Sequence, residues 1–237
     1  MNKIKIIILM FFIAIVCMVE VPVATADSIK TLTSREKGII PIAAFTATGN
    51  IQKLETALNK GLDAGLTVNE IKEILVHTYA YAGFPRSLNG LNAFKAVLEK
   101  RKEKGIDDQM GKEASRIPAD FNKTAYGHMI RNSLVGKDMS KPKGGYQIFA
   151  PIIDQFLVEH LFADIFYRDV LSHQERELTT ISILAAMTGT EAQLKSHLNV
   201  SMNIGLSKTQ LEDFISVIKQ EVSLKSAEKA TEILNGL

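Results

Sequence analysis

The chain has 237 residues, of which 46% are hydrophobic and 23% are charged, and its formal net charge is +2. This length allows one domain or two small ones. Charge this close to neutral, with no clustered basic face, excludes the usual nucleic-acid-binding classes. We therefore expect no nucleic-acid partner.

The N-terminus has the pattern of a secretory signal peptide. Lys3 and Lys5 precede an apolar run over 6–19, which is shorter than the ~20 residues of a membrane span. A small-x-small cleavage pattern ends at Ala26. We predict a signal peptide over 1–26 and an exported chain, periplasmic or secreted, that meets the membrane only during export. An uncleaved N-terminal anchor is the alternative.

The cysteine content limits the possible chemistry. Cys17 is the only cysteine, and it would leave with the signal peptide. The mature chain would then form no disulfide, no thiolate metal site and no cysteine nucleophile.

Apolar residues recur at helical spacing along most of the chain. In chain order, helices are predicted over 34–47, 51–64, 68–82 and 87–104, then over 147–166, 172–187, 191–203, 208–220 and 223–235. Thr67–Glu70 and Ser172–Glu175 are capping boxes, which mark helix starts. Gly65 and Gly205 follow apolar segments as helix-terminating glycines do. The predicted fold class is all-α.

One pattern occurs twice, at an offset of 140 residues. The matches are Thr48-Gly49 with Thr188-Gly189, Leu58-Asn59 with Leu198-Asn199, and Gly65-Leu66 with Gly205-Leu206. We predict two tandem helical domains over 27–104 and 146–237, joined by a Gly-rich and charged linker over 105–145 with loop and short helix. Units of about 70 residues have thin cores alone, so we expect a shared interface and an oligomer.

The first copy carries a polar stripe on one predicted helix. Glu70, Glu73, His77 and Tyr81 are spaced by three, four and four, so they share a face. A glutamate one turn before a histidine can fix the tautomer of the ring or keep it charged. The alternative is an exposed amphipathic stripe.

The stripe runs into the sequence Gly83-Phe-Pro-Arg86. Gly83 permits a left-handed turn and Pro85 suits the first turn of a helix, which would place Arg86 at a helix start. A guanidinium beside free backbone N–H groups can bind a carboxylate. The alternative is a tight helix corner with a solvated arginine.

The second copy carries Arg176 and Glu177 at the start of one helix and His197 on the next. If these helices pack antiparallel, Glu177 can meet His197. A carboxylate that orients an imidazole is the minimum arrangement for acid–base catalysis; the alternative is a buried structural ion pair. No residue spacing demands a metal, and no phosphate loop or dinucleotide motif is present, so we expect no metal and no cofactor.

The polar residues of the two copies differ, which favours one composite site over two equal ones. At the offset of 140, Val217 stands where His77 would be, Ala57 where His197 would be, and Lys37 where Glu177 would be.

These motifs resemble the carboxymuconolactone decarboxylase family. The resemblance rests on Arg-Glu-Leu, then Gln-Leu-x-x-His and Asn-x-Gly-Leu-Ser in the second half, and on the Glu, His and Tyr-x-Gly-x-Pro pattern of the first. It implies two AhpD-like helical domains that assemble into trimers or hexamers, with a trimer expected for a two-domain chain. It also implies a small carboxylate or lactone as the ligand.

The resemblance leaves two branches. One branch reduces peroxides with a Cys-x-x-Cys placed just before the histidine, whereas 191–197 has no cysteine here. The other branch decarboxylates without thiol, metal or organic cofactor. It implies His197 as the proton donor, Glu177 as its orienting group, and Arg176 as a holder of carboxylate or enolate.

We expect three further residues to bind the substrate. His77 and Tyr81 would add polar groups to the pocket, and Arg86 would anchor the substrate. The predicted activity is that of a cofactor-independent carboxy-lyase or isomerase acting on a small carboxylated lactone or keto acid. The alternatives are a non-catalytic exported oligomer that binds small acids, and a peroxidase, which the absence of cysteine disfavours.

Overall fold

The computed structural model describes residues 30–141 and 144–237, and every regular element in these ranges is helical. The α-helices are α1 (Ser34–Thr48), α2 (Ile51–Asp63), α3 (Val68–Glu103), α4 (Lys123–Val135), α5 (Tyr146–Phe149), α6 (Pro151–Phe156), α7 (His173–Ala186), α8 (Glu191–Asn203), α9 (Lys208–Val217) and α10 (Leu224–Asn235). Two π-helical segments, Leu157–Ile165 and Ile218–Val222, continue α6 and α9. The all-α prediction is confirmed.

The predicted signal peptide over 1–26, with Cys17, lies outside the described residues. None of the helices within the described ranges is both long and apolar enough to cross a membrane.

Capping boxes begin the paired helices of the two units. Thr67 and Ser172 cap α3 and α7 as predicted, and Thr33 and Ser207 cap α1 and α9 in the same way. Each cap side chain accepts a backbone N–H while the residue three positions on bonds back to the cap. The helix starts are therefore encoded locally.

The caps correct one sequence alignment. Thr33 and Ser172 are 139 positions apart, one fewer than the repeat offset, because α1 is one residue longer than α7. The residue equivalent to Lys37 is therefore Arg176, and not Glu177 as expected. Glu177 corresponds to Gly38.

Gly83 interrupts α3 where the sequence predicts a break between two helices. Its backbone has φ 81° and ψ 164°, a left-handed conformation that glycine adopts readily. The helix resumes almost at once with Pro85 in its first turn, where a missing N–H costs little. The two predicted helices are therefore one kinked element.

The predicted linker over 105–145 holds a full helix. α4 packs along the π-helical segment Leu157–Ile165, and a small apolar cluster fills their contact. This cluster contains Ile130, Leu134, Leu161, Ile165 and Phe166. The single helix predicted over 147–166 is divided, since Ala150 leaves helical geometry between α5 and α6.

The two units share one core. A single cluster of buried apolar residues runs from Leu32 to Leu234 and takes members from both units. α1 packs on α2 and α3 of its own unit and also on α7, which packs on α3 and α8. The expectation of a shared interface is confirmed.

Arg35 joins the starts of three helices at this interface. Its guanidinium binds Glu70 and Glu175, which close the capping boxes of α3 and α7. The N-termini of α1, α3 and α7 therefore lie together, and the polar residues in the next turns of α3 and α7 face each other.

Candidate functional site

Arg176 is the centre of a polar cluster between α3 and α7. Its side chain is fully buried, at 0% exposure. Nη2 donates to Glu73 Oε2 at 3.2 Å and to the backbone carbonyl of Arg168, and Nη1 donates to His77 Nδ1 at 3.3 Å. One arginine of the second copy thus binds two residues of the first.

His77 is held as a neutral ring with one defined tautomer. Nδ1 accepts from Arg176, so the proton lies on Nε2, which donates to Thr180 Oγ1 at 2.8 Å. The Thr180 hydroxyl in turn donates to the carbonyl of Arg176. Burial first, and then the positive charge of Arg176, hold the pKa of His77 well below its usual range.

Glu73 pairs with arginines rather than with His77. It accepts two bonds from Arg168, Nε at 2.9 Å and Nη2 at 2.5 Å, and one from Arg176. Glu73 is 3% exposed and His77 is buried, so the exposed-stripe interpretation is wrong. Sequence reasoning missed Arg168 because it lies in a short irregular segment with no periodic pattern.

Glu177 and His197 form the predicted pair. α7 and α8 pack against each other, and His197 Nδ1 lies 2.7 Å from Glu177 Oε2. Glu177 is only 1% exposed, whereas the His197 side chain retains 20% exposure. The carboxylate fixes Nδ1 as the donor, which leaves Nε2 of His197 as the free nitrogen of the ring.

Tyr81 connects the two halves of the cluster. Its ring centroid lies 5.3 Å from that of His77 and 5.7 Å from that of His197. Burial, followed by the charge of Glu177, raises the pKa of Tyr81. Its buried hydroxyl lies close enough to Thr180 for a weak hydrogen bond that opposes this rise, whereas Glu177 Oε1 makes no hydrogen bond to any residue that the structure describes. Both atoms are buried inside the cluster.

Phe166 forms an apolar wall beside these groups. It follows the π-helical segment, is 3% exposed, and contacts the His77 ring edge-on at 5.7 Å. The Arg176 guanidinium lies 5.7 Å from the Phe166 ring centroid, within cation–π range. Sequence reasoning missed Phe166, since a lone aromatic residue after a helix has no distinctive pattern.

The charges of the cluster nearly cancel. Two guanidinium groups, Arg168 and Arg176, face two carboxylates, Glu73 and Glu177. With His77 neutral, a proton on His197 would give the cluster one net positive charge.

A comparison of the sequence with models of protein families also divides the chain into two related regions. The model of the carboxymuconolactone decarboxylase family matches residues 22–96 and again 151–234. The chain belongs to the carboxymuconolactone decarboxylase family. A search of curated proteins finds no match. The two matched regions agree with a tandem member that has one family domain in each half.

One predicted site residue of this carboxymuconolactone decarboxylase family member lies outside the cluster. Arg86 is exposed, and its guanidinium packs against Gly49 after the end of α1, where a β-carbon would lie only 1.6 Å from Nη1. It follows the Gly83 kink, so the helix turns it away from the face of His77 and Tyr81. The other five predicted residues come together.

Within the described part of this family member, no group of three or more His, Cys, Asp or Glu side chains is arranged to hold a metal ion. Two shallow surface grooves, one lined by Phe45 and Lys60 and one by Glu191 and Lys229, lie away from the polar cluster. Their mixed charged linings bring no catalytic pair together.

Proposed function

We propose that this carboxymuconolactone decarboxylase family protein is a cofactor-independent lyase or isomerase acting on a small carboxylated lactone or keto acid. The observation that carries the proposal is the Glu177–His197 pair, 2.7 Å apart, with a buried carboxylate and a partly exposed imidazole. A buried carboxylate that orients one nitrogen of a histidine prepares the other nitrogen for proton transfer.

Decarboxylation would begin when the bond between the substrate carboxylate and its α-carbon breaks. The electron pair of that bond moves into the adjacent carbonyl and forms an enolate, and CO2 leaves. His197 Nε2–H, in the imidazolium form, then donates its proton to carbon, and the ring regains a proton from water. Glu177 stabilises the imidazolium through Nδ1.

Isomerisation would use the same groups without loss of CO2. Neutral His197 Nε2 would take a proton from the carbon beside a carbonyl and return it to another carbon of the enolate. In both reactions the Tyr81 hydroxyl supports the developing oxyanion, because its ring lies between those of His77 and His197 and burial keeps the hydroxyl protonated.

Arg176 has a different role in this proposal from the one expected from sequence. Its Nη groups donate to Glu73, Arg168 and His77, and its side chain is fully buried. We propose that it positions His77 and supplies positive potential, while the substrate carboxylate stays near His197. Arg86 has no direct role.

The test is CO2 release and loss of ultraviolet absorbance with carboxymuconolactone and a series of keto acids. We expect turnover by the wild type and a loss of about 10²–10⁴-fold in His197→Ala. His160→Ala is the matched control, since that histidine is exposed and outside the cluster. Absence of turnover above the His197→Ala background with every compound would contradict the proposal.

A second candidate is a non-catalytic protein that binds small acids. It is favoured by the density of internal hydrogen bonds around Arg176, which suit a rigid binding cluster. Binding would raise the melting temperature, and the rise would grow with the logarithm of ligand concentration once the site is saturated; His197→Ala would leave this shift unchanged. A dithiol-dependent peroxide assay separates both candidates from a peroxidase.

We also propose that the chain is exported and cleaved after Ala26. N-terminal sequencing of the protein isolated from its native compartment should begin at Asp27. A chain that retains residues 1–26 and sediments with membranes would support the alternative of an N-terminal anchor.

A further inference from the structure

A groove occupies the position in the first unit that the polar cluster occupies in the second. It runs between α2 and the π-helical segment Ile218–Val222, and its volume is about 260 Å³. α2 and α8 begin 140 residues apart, as do the capped starts of α3 and α9. At this offset Ala57 in the groove corresponds to His197, and Glu221 corresponds to Tyr81. We call it the first-unit groove.

The first-unit groove is open because two aromatic rings are replaced there by smaller or paired side chains. In the second unit the rings of Tyr81 and His197 lie 5.7 Å apart and fill the corresponding space. In the first unit the Ala57 methyl group takes the place of the imidazole, and Glu221 Oε2 pairs with Lys60 Nζ at 3.1 Å. The first unit has therefore lost the acid–base pair and kept room for a ligand.

The first-unit groove combines an apolar floor with an ammonium group. The floor is formed by Phe45 and Ala57, which are 6% and 2% exposed. Lys53 Nζ lies 5.5 Å from the centroid of the Phe45 ring, within cation–π range, and no carboxylate of the described chain pairs with it. At the same offset Lys53 replaces Gln193. A cation beside an apolar floor suits an anion whose uncharged part lies on that floor.

The charge and size of the first-unit groove limit the ligand. Lys53 and Lys60 carry two positive charges and Glu221 carries one negative charge, while the other lining residues are uncharged. Because Lys60 is already paired with Glu221, a single carboxylate at Lys53 neutralises the groove. A phosphate dianion would leave excess negative charge and would have no apolar part to cover Phe45 and Ala57. The volume lies below the ~300–1,000 Å³ of pockets for drug-sized ligands, so the ligand is small.

We propose that the first-unit groove binds a small monocarboxylate with an apolar body. The carboxylate accepts from the Lys53 ammonium group, and the apolar body covers Phe45 and Ala57. The groove has no histidine to transfer a proton, so this ligand is bound and not converted. The site does not depend on the proposed reaction, because none of its lining residues belongs to the polar cluster. One unit thus provides the candidate acid–base pair, and the other provides a separate binding site.

The test is a titration with benzoate, followed by two-dimensional ¹H–¹⁵N NMR, of wild type, Lys53→Met, Lys53→Arg and Lys195→Met. Lys53 is exposed, so neither substitution there removes core packing; methionine removes the cation and arginine keeps it. Lys195→Met is the matched control. Lys195 is an exposed lysine in the other surface groove, whose two lysines and two glutamates leave no net charge.

We expect benzoate to shift the amide signals of 53–60 and 218–222 in the wild type, in Lys53→Arg and in Lys195→Met, with similar dissociation constants. In Lys53→Met the dissociation constant should rise at least ~5-fold, because the charge-assisted hydrogen bond to the carboxylate is lost. Benzylamine has the same ring with a positive charge, and it should shift none of these signals.

Three results would overturn the proposal. Benzoate might shift only signals of α7 and α8, which would assign its binding to the polar cluster. Lys53→Met might bind benzoate as tightly as the wild type does. Inorganic phosphate might bind the groove as tightly as benzoate, which would show that the apolar floor contributes nothing. None of these measurements requires turnover, so they stand whether or not the protein proves to be a lyase or isomerase.

Discussion

The two units place a basic residue and a carboxylate at equivalent positions, with different results. In one pair Lys37 of α1 lies 3.5 Å from Asp213 of α9, and both side chains are partly exposed. In the other, Arg176 of α7 binds Glu73 of α3, and both are buried. The same cross-unit contact is a surface ion pair in one case and the centre of a polar cluster in the other.

The neighbours of each pair explain the difference. Beside Lys37 the chain has Gly38, where a β-carbon would lie 3.4 Å from the Cα of Gly61, so α1 and α2 pack closely. The equivalent residue beside Arg176 is Glu177, which binds His197. Ala57, buried at 2% exposure, takes the position of that histidine in the first unit. Small residues close one helix pair, and a hydrogen-bonded pair fills the other.

The largest effect should come from removing the cation of each pair. We expect Arg176→Met to lower the free energy of unfolding by about 3 kcal/mol, because it leaves buried polar groups without a partner. Lys37→Met should cost less than about 1 kcal/mol, since exposed pairs contribute little. Urea unfolding followed by circular dichroism measures both. Equal losses in the free energy of unfolding would show that burial does not explain the difference between the two ion pairs.

The second effect concerns the pair that only the second unit has. His197→Leu should destabilise the protein by about 1–3 kcal/mol at neutral pH, because Glu177 then remains buried without a partner. The double variant Glu177→Met, His197→Leu should recover much of this loss, as when an apolar pair replaces a buried ion pair. A double variant less stable than the sum of the single changes would contradict this explanation.

The third effect is a pH dependence that His77 confers and its counterpart Val217 does not. The pKa of folded His77 is lowered, so between that value and the ordinary 6.5 the unfolded chain binds a proton that the folded chain does not. The contribution of neutral His77 to the free energy of unfolding is therefore fully present above pH 6.5. It decreases as the pH falls below 6.5, by up to about 1.4 kcal/mol per pH unit.

His77→Gln tests this pH dependence, because glutamine donates a hydrogen bond but does not titrate. Urea midpoints of the variant should change less than those of the wild type between pH 6.5 and 5. Parallel curves for the two proteins would mean that His77 binds its proton equally well in the folded and the unfolded chain, so that folding does not lower its pKa.

The smallest effect is expected at Arg86. Arg86→Ala changes an exposed side chain outside the polar cluster, so the free energy of unfolding should change by no more than about 0.5 kcal/mol. Turnover of the substrate that the wild type accepts should be unchanged. A large rise in KM would restore Arg86 as the substrate anchor predicted from sequence.

Local features of the structure were predictable because they depend on neighbouring residues. The capping boxes at Thr67 and Ser172 and the break at Gly83 all form as expected, since each needs only a few adjacent side chains or one flexible backbone position. The meeting of Glu177 and His197 was also predictable, because two short helices joined by a tight turn pack antiparallel.

Other features depend on distant parts of the chain and were missed or misjudged. Arg168 and Phe166 enter the cluster from an irregular segment, and the partner of Glu73 is an arginine 95 residues away rather than the histidine one turn along. α1 is one residue longer than α7. An alignment of the two units at a constant offset of 140 residues cannot show this difference, so it pairs Lys37 with Glu177 instead of Arg176.

The sequence by itself determined an all-α chain of two related units, because hydrophobic period, caps and a repeated pattern are local and recur. It also identified five residues that come together. Only the tertiary structure decided which contact between the units became the polar cluster. That outcome depends on burial, and burial is set by how closely helices from distant parts of the chain approach one another. In the first unit, the small residues Gly38 and Ala57 let α1 and α2 pack closely, and no polar cluster forms between them. In the second unit, Glu177 and His197 occupy the equivalent positions on α7 and α8, and their hydrogen bond is part of the polar cluster.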